Sequence, residues 1–266
     1  VCVFEYAVRV GREGRRGSGG PHVTEAPRAA LPGCLMHFEG RGPGSLGDLR
    51  VSSRQIEQPL AGRLSTGAEA PAGAALSPRY LLALLQAPQR EVVLAAAARL
   101  GICGRMADTP MLARLLHHGD SEVVATAEQS LWAIWLRAGD EVSNGMLAEA
   151  VQMMNAGRYD AAVGVLDALV GRSPGFAEAY NQRAIAWYMM DKHLRSVADC
   201  RRTLALNPWH FGAAAGLGHS YAQLGFYERA LDAYHAALKL HPRMDGIRQA
   251  IRQIRELLVR QSSRQP

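Results

Sequence analysis

The 266-residue sequence predicts an all-α fold, a right-handed α-solenoid of helical hairpins, and three observations carry that expectation. Helical apolar periodicity runs almost without interruption from Ser77 onward. Within it, a first segment repeats once at an offset of 31 residues, and the segment after it runs through three units at an offset of 34. Such periods mark stacked hairpins, because a single hairpin leaves an apolar face that only its neighbour covers.

Composition agrees with stacking. Apolar residues make up 48% of the chain but aromatic ones only 6%, so the core is filled by Ala, Leu, Val and Met, which let helices approach closely. Residues 1–76 stand apart, with 13 of the 27 glycines and six of the 13 prolines and no sustained helical period. That composition predicts a disordered Gly/Pro/Arg-rich segment, because it buries too little apolar surface to offset chain entropy. Deletion of this segment is therefore expected to leave stability nearly unchanged. A phosphate-loop reading of Gly11 to Gly20 fails, since neither the lysine nor the following helix is present.

The 31-residue offset is read in pairs. Leu81, Leu84 and Leu85 recur as Leu112, Leu115 and Leu116, Glu91-Val92-Val93 as Glu122-Val123-Val124, and Ala96 and Leu100 as Ala127 and Leu131. Each unit reads as a short helix, a polar turn and a second helix. The pattern resembles the short HEAT-like repeat of bacterial and phycobilin-lyase-related proteins, and it assigns residues 77–138 to two such units.

The 34-residue offset rests on more columns. Pro174, Pro208 and Pro242 set the ruler, and on it Ala150 aligns with Ala184 and Gly218, and Met153 with Trp187 and Tyr221. Ala162, Ser196 and Ala230 form a further column, as do Val163, Val197 and Leu231, and Val170, Leu204 and Leu238. Gly157 and Gly225 fall where a first helix must end in a left-handed residue, and a proline follows each second helix to stop it. Asp191 and His193 interrupt this pattern in the middle unit, which leaves that turn's geometry open. These columns resemble the tetratricopeptide repeat (TPR), with three repeats over residues 139–242. A capping helix is expected over residues 243–260, where Ile247, Ala250, Ile251, Ile254, Leu257 and Leu258 form one stripe and Arg248, Arg252, Arg255 and Arg260 hold the other faces. An amphipathic membrane helix is the rival reading of that basic segment.

Little in the sequence points to catalysis. Gly218-His219-Ser220-Tyr221-Ala222 is close to a nucleophile elbow, but it lies inside a predicted helix where no strand-to-helix turn exposes the serine. The four cysteines and nine histidines make no ligand spacing, so no metal or other cofactor is expected. No stretch approaches the roughly 20 apolar residues of a membrane span. Cysteine usage is compatible with a reducing compartment, and a cytoplasmic location is the expectation. The net charge of +6 is spread out, with 21 basic and 17 acidic residues in 77–266, which disfavours DNA as a partner.

By the resemblance, first helices line a concave channel that receives a peptide or partner protein. The lining is then Asn144, Leu147 and Val151, followed by Glu178, Asn181, Ile185 and Tyr188, and finally His219 and Gln223. The lysines of a basic clamp for acidic chaperone tails are missing. Arg183 shares a column with Glu149 and Leu217, and three partners are open to it: Glu149 across a repeat interface, Asp199, or a ligand carboxylate. The expected function is a non-enzymatic interaction scaffold of unknown oligomeric state, with an RNA-binding repeat surface or a chromophore-lyase-related enzyme as alternatives.

Overall fold

The computed structural model describes residues 77–262, so the expectation for residues 1–76 lies outside the described residues. Among the described residues four α-helices come first: α1 (Pro78–Leu84), α2 (Arg90–Cys103), α3 (Thr109–Arg114) and α4 (Ser121–Leu136). Their starts show the 31-residue offset directly, since α1 and α3 open at 78 and 109 and α2 and α4 at 90 and 121. Local chemistry sets these boundaries. Ser77 Oγ accepts the Tyr80 N–H at the start of α1, and Asp120 Oδ1 accepts the Glu122 and Val123 N–H groups at the start of α4. Arg90 joins the two long helices through Asp120 (2.6 Å) and Glu122.

The packing of α2 on α4 depends on one close approach. A Cβ added at Gly101 falls 2.7 Å from Ser130 Oγ, and that hydroxyl donates to the Ala97 carbonyl at 2.9 Å. Beyond α4, Arg137 turns back to donate to the carbonyls of Gly101 (2.5 Å) and Gly104 (3.0 Å), which satisfies groups left open at the end of α2.

Seven helices follow: α5 (Glu141–Asn155), α6 (Tyr159–Arg172), α7 (Ala177–Met189), α8 (His193–Leu206), α9 (Phe211–Gln223), α10 (Tyr227–Leu240) and α11 (Asp245–Ser262). Helices α5/α6, α7/α8 and α9/α10 are hairpins, and each packs on the next. The same turn closes all three. Gly157, Asp191 and Gly225 have φ of 72°, 58° and 77°, and the following N–H reaches five residues back, Arg158 to Met153 (2.9 Å), Lys192 to Trp187 (2.8 Å) and Phe226 to Tyr221 (3.0 Å). The turn left open by the sequence is therefore the same turn. Asp191 takes the glycine's role because a short polar side chain tolerates the left-handed region better than most.

The small-residue column works as read. Ala150 and Ala184 are wholly buried, and a Cβ on Gly218 meets the Tyr234 ring at 2.4 Å. Helix α11 covers α10 with Ile247, Ala250, Ile251 and Ile254 buried and its arginines exposed, as a cap does. No helix among the described residues is long and apolar enough to cross a membrane.

Arg183 resolves its open choice. Its guanidinium bonds Asp199 of α8 through two nitrogens at 2.8 Å each and Asp167 of α6 at 2.7 Å, so it clasps two repeats and is not available to a ligand. These carboxylates, Asp199 foremost, push its pKa up. Glu149 is exposed on α5 and does not pair with it.

Two outcomes are expected in denaturant melts. Gly225→Ala places a Cβ in the left-handed region and costs about 1–2 kcal/mol, whereas Asp191→Ala costs less because that penalty is already present. Gly218→Ala costs about 1–3 kcal/mol by overpacking against the buried Tyr234 ring. Equal losses at 191 and 225 would show that the turns are not equivalent.

Candidate partner-binding face

The predicted lining divides into an inner half and an outer half. Leu147, Glu178, Asn181 and Ile185 are each only 1% exposed. Asn144, Val151, Tyr188 and His219 are half-buried, and Gln223 is exposed. The Asn144 side chain is spent locally: its Oδ1 takes the Gly139 N–H at 3.0 Å, and its Nδ2 donates to the Gly139 (3.0 Å) and Arg137 (3.3 Å) carbonyls. It pins the turn between α4 and α5.

The inner half is organised around a buried carboxylate. Glu178 Oε1 accepts from Asn181 Nδ2 (3.0 Å) and Gln182 Nε2 (2.7 Å), and Oε2 lies 2.8 Å from His210 Nε2. His210 Nδ1 receives the Ala213 N–H at 3.0 Å, so the ring donates to Glu178 from Nε2 while it caps α9. This arrangement meets the need of a buried charge for several donors. It also leaves Asn181 Oδ1 and Gln182 Oε1 buried with no hydrogen-bond partner.

Helix α4 closes this half, which no periodicity in the sequence foretold. It packs on α7, and Trp135 stacks on His210 with ring centres 4.4 Å apart and planes 22° apart. Trp132 meets His210 edge-on at 5.2 Å and Phe211 at 5.5 Å. Nearer the start of α4, Glu128 reaches His241 at 3.3 Å, and just before the helix the carbonyls of His118 (3.0 Å) and Gly119 (2.5 Å) accept from Arg243. The one available signal was two of the chain's four tryptophans within WAIW.

The outer half presents rings and an amide from two neighbouring repeats. Gln223 Nε2 donates to the Tyr188 hydroxyl at 3.2 Å, Tyr188 and His219 lie 6.5 Å apart between ring centres, and the Tyr234 hydroxyl bonds His219 Nδ1 at 2.8 Å. Burial holds the His219 pKa down at about 4. Elsewhere, Ser220 of the elbow-like string is buried inside α9, its Oγ 2.9 Å from both the Gly216 carbonyl and Ser196 Oγ. Burial pushes the Cys200 thiol up to about 12, far from a reactive thiolate. No metal-ligating group of side chains occurs among the described residues.

No family model matches the chain. A TPR repeat-containing protein of Rhizobium etli is 24% identical over 132 residues, which is 50% of this chain, and the match spans 65% of that relative's length. Among solved structures, the first TPR of Spaghetti (RPAP3) bound to the HSP90 peptide SRMEEVD is 22% identical and covers 44% of this chain and 93% of its own, with a TM-score of 0.43. The first TPR domain of human RPAP3 is 21% identical over 48% of this chain and 100% of its own, with a TM-score of 0.45. MamA is 19% identical over 53% and 96%, with a TM-score of 0.39.

A pH dependence follows from His219. An unfolded histidine titrates near ~6.5, above the folded value, so the stability from keeping this ring neutral is complete above pH ~6.5 and is lost as pH falls towards ~4. Thermal midpoints at pH 7.5 and 5 should therefore fall further for the natural chain than for His219→Gln. An equal drop in both would mean that the ring protonates freely in the fold.

Proposed function

We propose that this tetratricopeptide-repeat array is a non-enzymatic protein-interaction scaffold, and that it receives a peptide or partner protein on the outer half of the concave face around Tyr188, His219 and Gln223. One observation carries the reading. Tyr188 and Gln223 come from different repeats, meet through a hydrogen bond at 3.2 Å, and are open to solvent where Glu178 and Asn181 are buried. Two rings and an amide held on rigid helices lose little entropy on binding and offer both a packing surface and backbone-pairing groups. Val151 extends the strip towards the first repeat. The reading includes a cytoplasmic location, in keeping with the cysteine usage.

Arginine chemistry favours a protein partner over RNA. Lys192 and Arg195 lie over Trp187 at 5.1 and 4.7 Å, and Arg229 lies over Tyr221 and Phe226 at 6.0 and 5.5 Å. Those cations already occupy ring faces on which bases would stack.

The test is affinity capture with the full chain, comparing it with Tyr188→Ala, Gln223→Ala double-variant protein by quantitative mass spectrometry. Loss of about tenfold or more of a specific partner, with helical content retained, is the expected result, since two such contacts are worth roughly 1–2 kcal/mol each at a hot spot. Unchanged capture by a folded variant would move the binding site off this face.

A further inference from the structure

We infer that α4 is the resident ligand of a helix-binding groove along the repeat seams, and that a partner helix carrying two ring side chains one turn apart binds by taking its place. The inference rests on the reading that the first-helix face of the array is its binding face, and it adds the regulation and partner chemistry of the inner half.

Helix α4 has two working faces. Val123, Ala127, Ser130, Leu131 and Ile134 are buried, and Ser130 makes the close contact with α2 that builds the hairpin unit. Glu128, Trp132 and Trp135 are spaced i, i+4 and i+7, so they share a different face. Every one of these three touches the array at a point where one repeat meets the next element: Trp132 and Trp135 at His210 and Phe211, and Glu128 at His241. His210 and Phe211 join the second repeat to the third, and His241 joins the third to α11. The seam face of α4 thus lies across the array as a docked helical ligand lies, anchored by aromatic side chains in a pocket and by a polar contact at the rim.

The fit of this resident helix is incomplete. Trp132 Nε1 and Trp135 Nε1 are buried donors with no hydrogen-bond partner, and Asn181 Oδ1 and Gln182 Oε1, beside the Glu178 carboxylate, are buried acceptors with none. Unmet buried polar groups weaken an interface, so a helix that supplies donors to those two oxygens competes well with α4. Its favoured chemistry is two rings on one face together with an amide or cationic donor. On exchange, the seam face of α4 leaves the groove while the hairpin unit of α1 to α4 keeps its internal packing, which uses the other face.

The probe is a fluorescently labelled synthetic peptide of residues 118–137, added to the full chain and followed by anisotropy. The natural chain is expected to bind it weakly, because the groove is filled. Trp132→Ala with Trp135→Ala in the protein should raise its affinity for the unmodified peptide at least tenfold, and the peptide carrying the same two substitutions should not bind. Glu128→Gln with Arg243→Ala, which leaves the aromatic anchor in place, should give a smaller gain in the same direction. Circular dichroism reports whether each variant keeps its helices. The inference is overturned if folded variants bind the peptide no better than the natural chain, if the tryptophan-free peptide binds equally well, or if both variants lose their fold and so mark α4 as inseparable core. Capture through Tyr188 and Gln223 is read in a separate experiment, so either conclusion can fail without the other.

Discussion

A carboxylate sealed from water is the constraint around which the upper part of the array is arranged. Glu178 sits at the start of α7, where the helix dipole favours a negative charge, but burial still demands several donors. Asn181 and Gln182 supply two from the same helix, and His210 supplies the third from the next seam. His210 in turn caps α9 and forms the floor on which Trp135 stacks. One buried charge therefore sets the spacing of α7 from α9 and the seat of α4. An apolar residue at 178 would leave His210 Nε2 buried without its partner.

The parts of the fold visible in the sequence are those that repeat. Columns 34 residues apart located the hairpins, the small-residue contacts at Ala150, Ala184 and Gly218, and two of the three left-handed turns. The third, at Asp191, was hidden because the residue type differs while the backbone geometry does not. Contacts made once are different. The seat of α4 joins residues 118–135 to 210–243, and a single contact between distant segments leaves no period to detect. For the same reason the candidate site was only half legible. Helical spacing identified which side chains share the inner face, but the burial of Glu178, Asn181 and Ile185 depends on surroundings outside that spacing.

Arginine serves here as a packing residue as much as a charge. Arg183 reaches two carboxylates on two different helices, and its column changes to Leu217 in the next repeat, where Ala233 replaces the aspartate at the position of Asp199. Arg137 closes open carbonyls, and Arg195 and Arg229 lie on rings one repeat apart. Such uses engage positive charge within the molecule itself, on carboxylates, carbonyls and rings.

The contact of Arg243 with the carbonyls of His118 and Gly119 has a consequence for how the molecule comes apart. In an open repeat array each unit feels only its neighbours, so the ends fray first and unfolding spreads inward one unit at a time. Here the early hairpins are fastened to the far end of the last repeat, and the chain forms a closed circuit instead of a line. The helices between 119 and 243 cannot separate fully without breaking the junction, which couples units that are distant in sequence and pushes a nominally one-dimensional assembly towards all-or-none behaviour. Undoing that junction would return the protein to the graded, zipper-like mechanics of an ordinary solenoid.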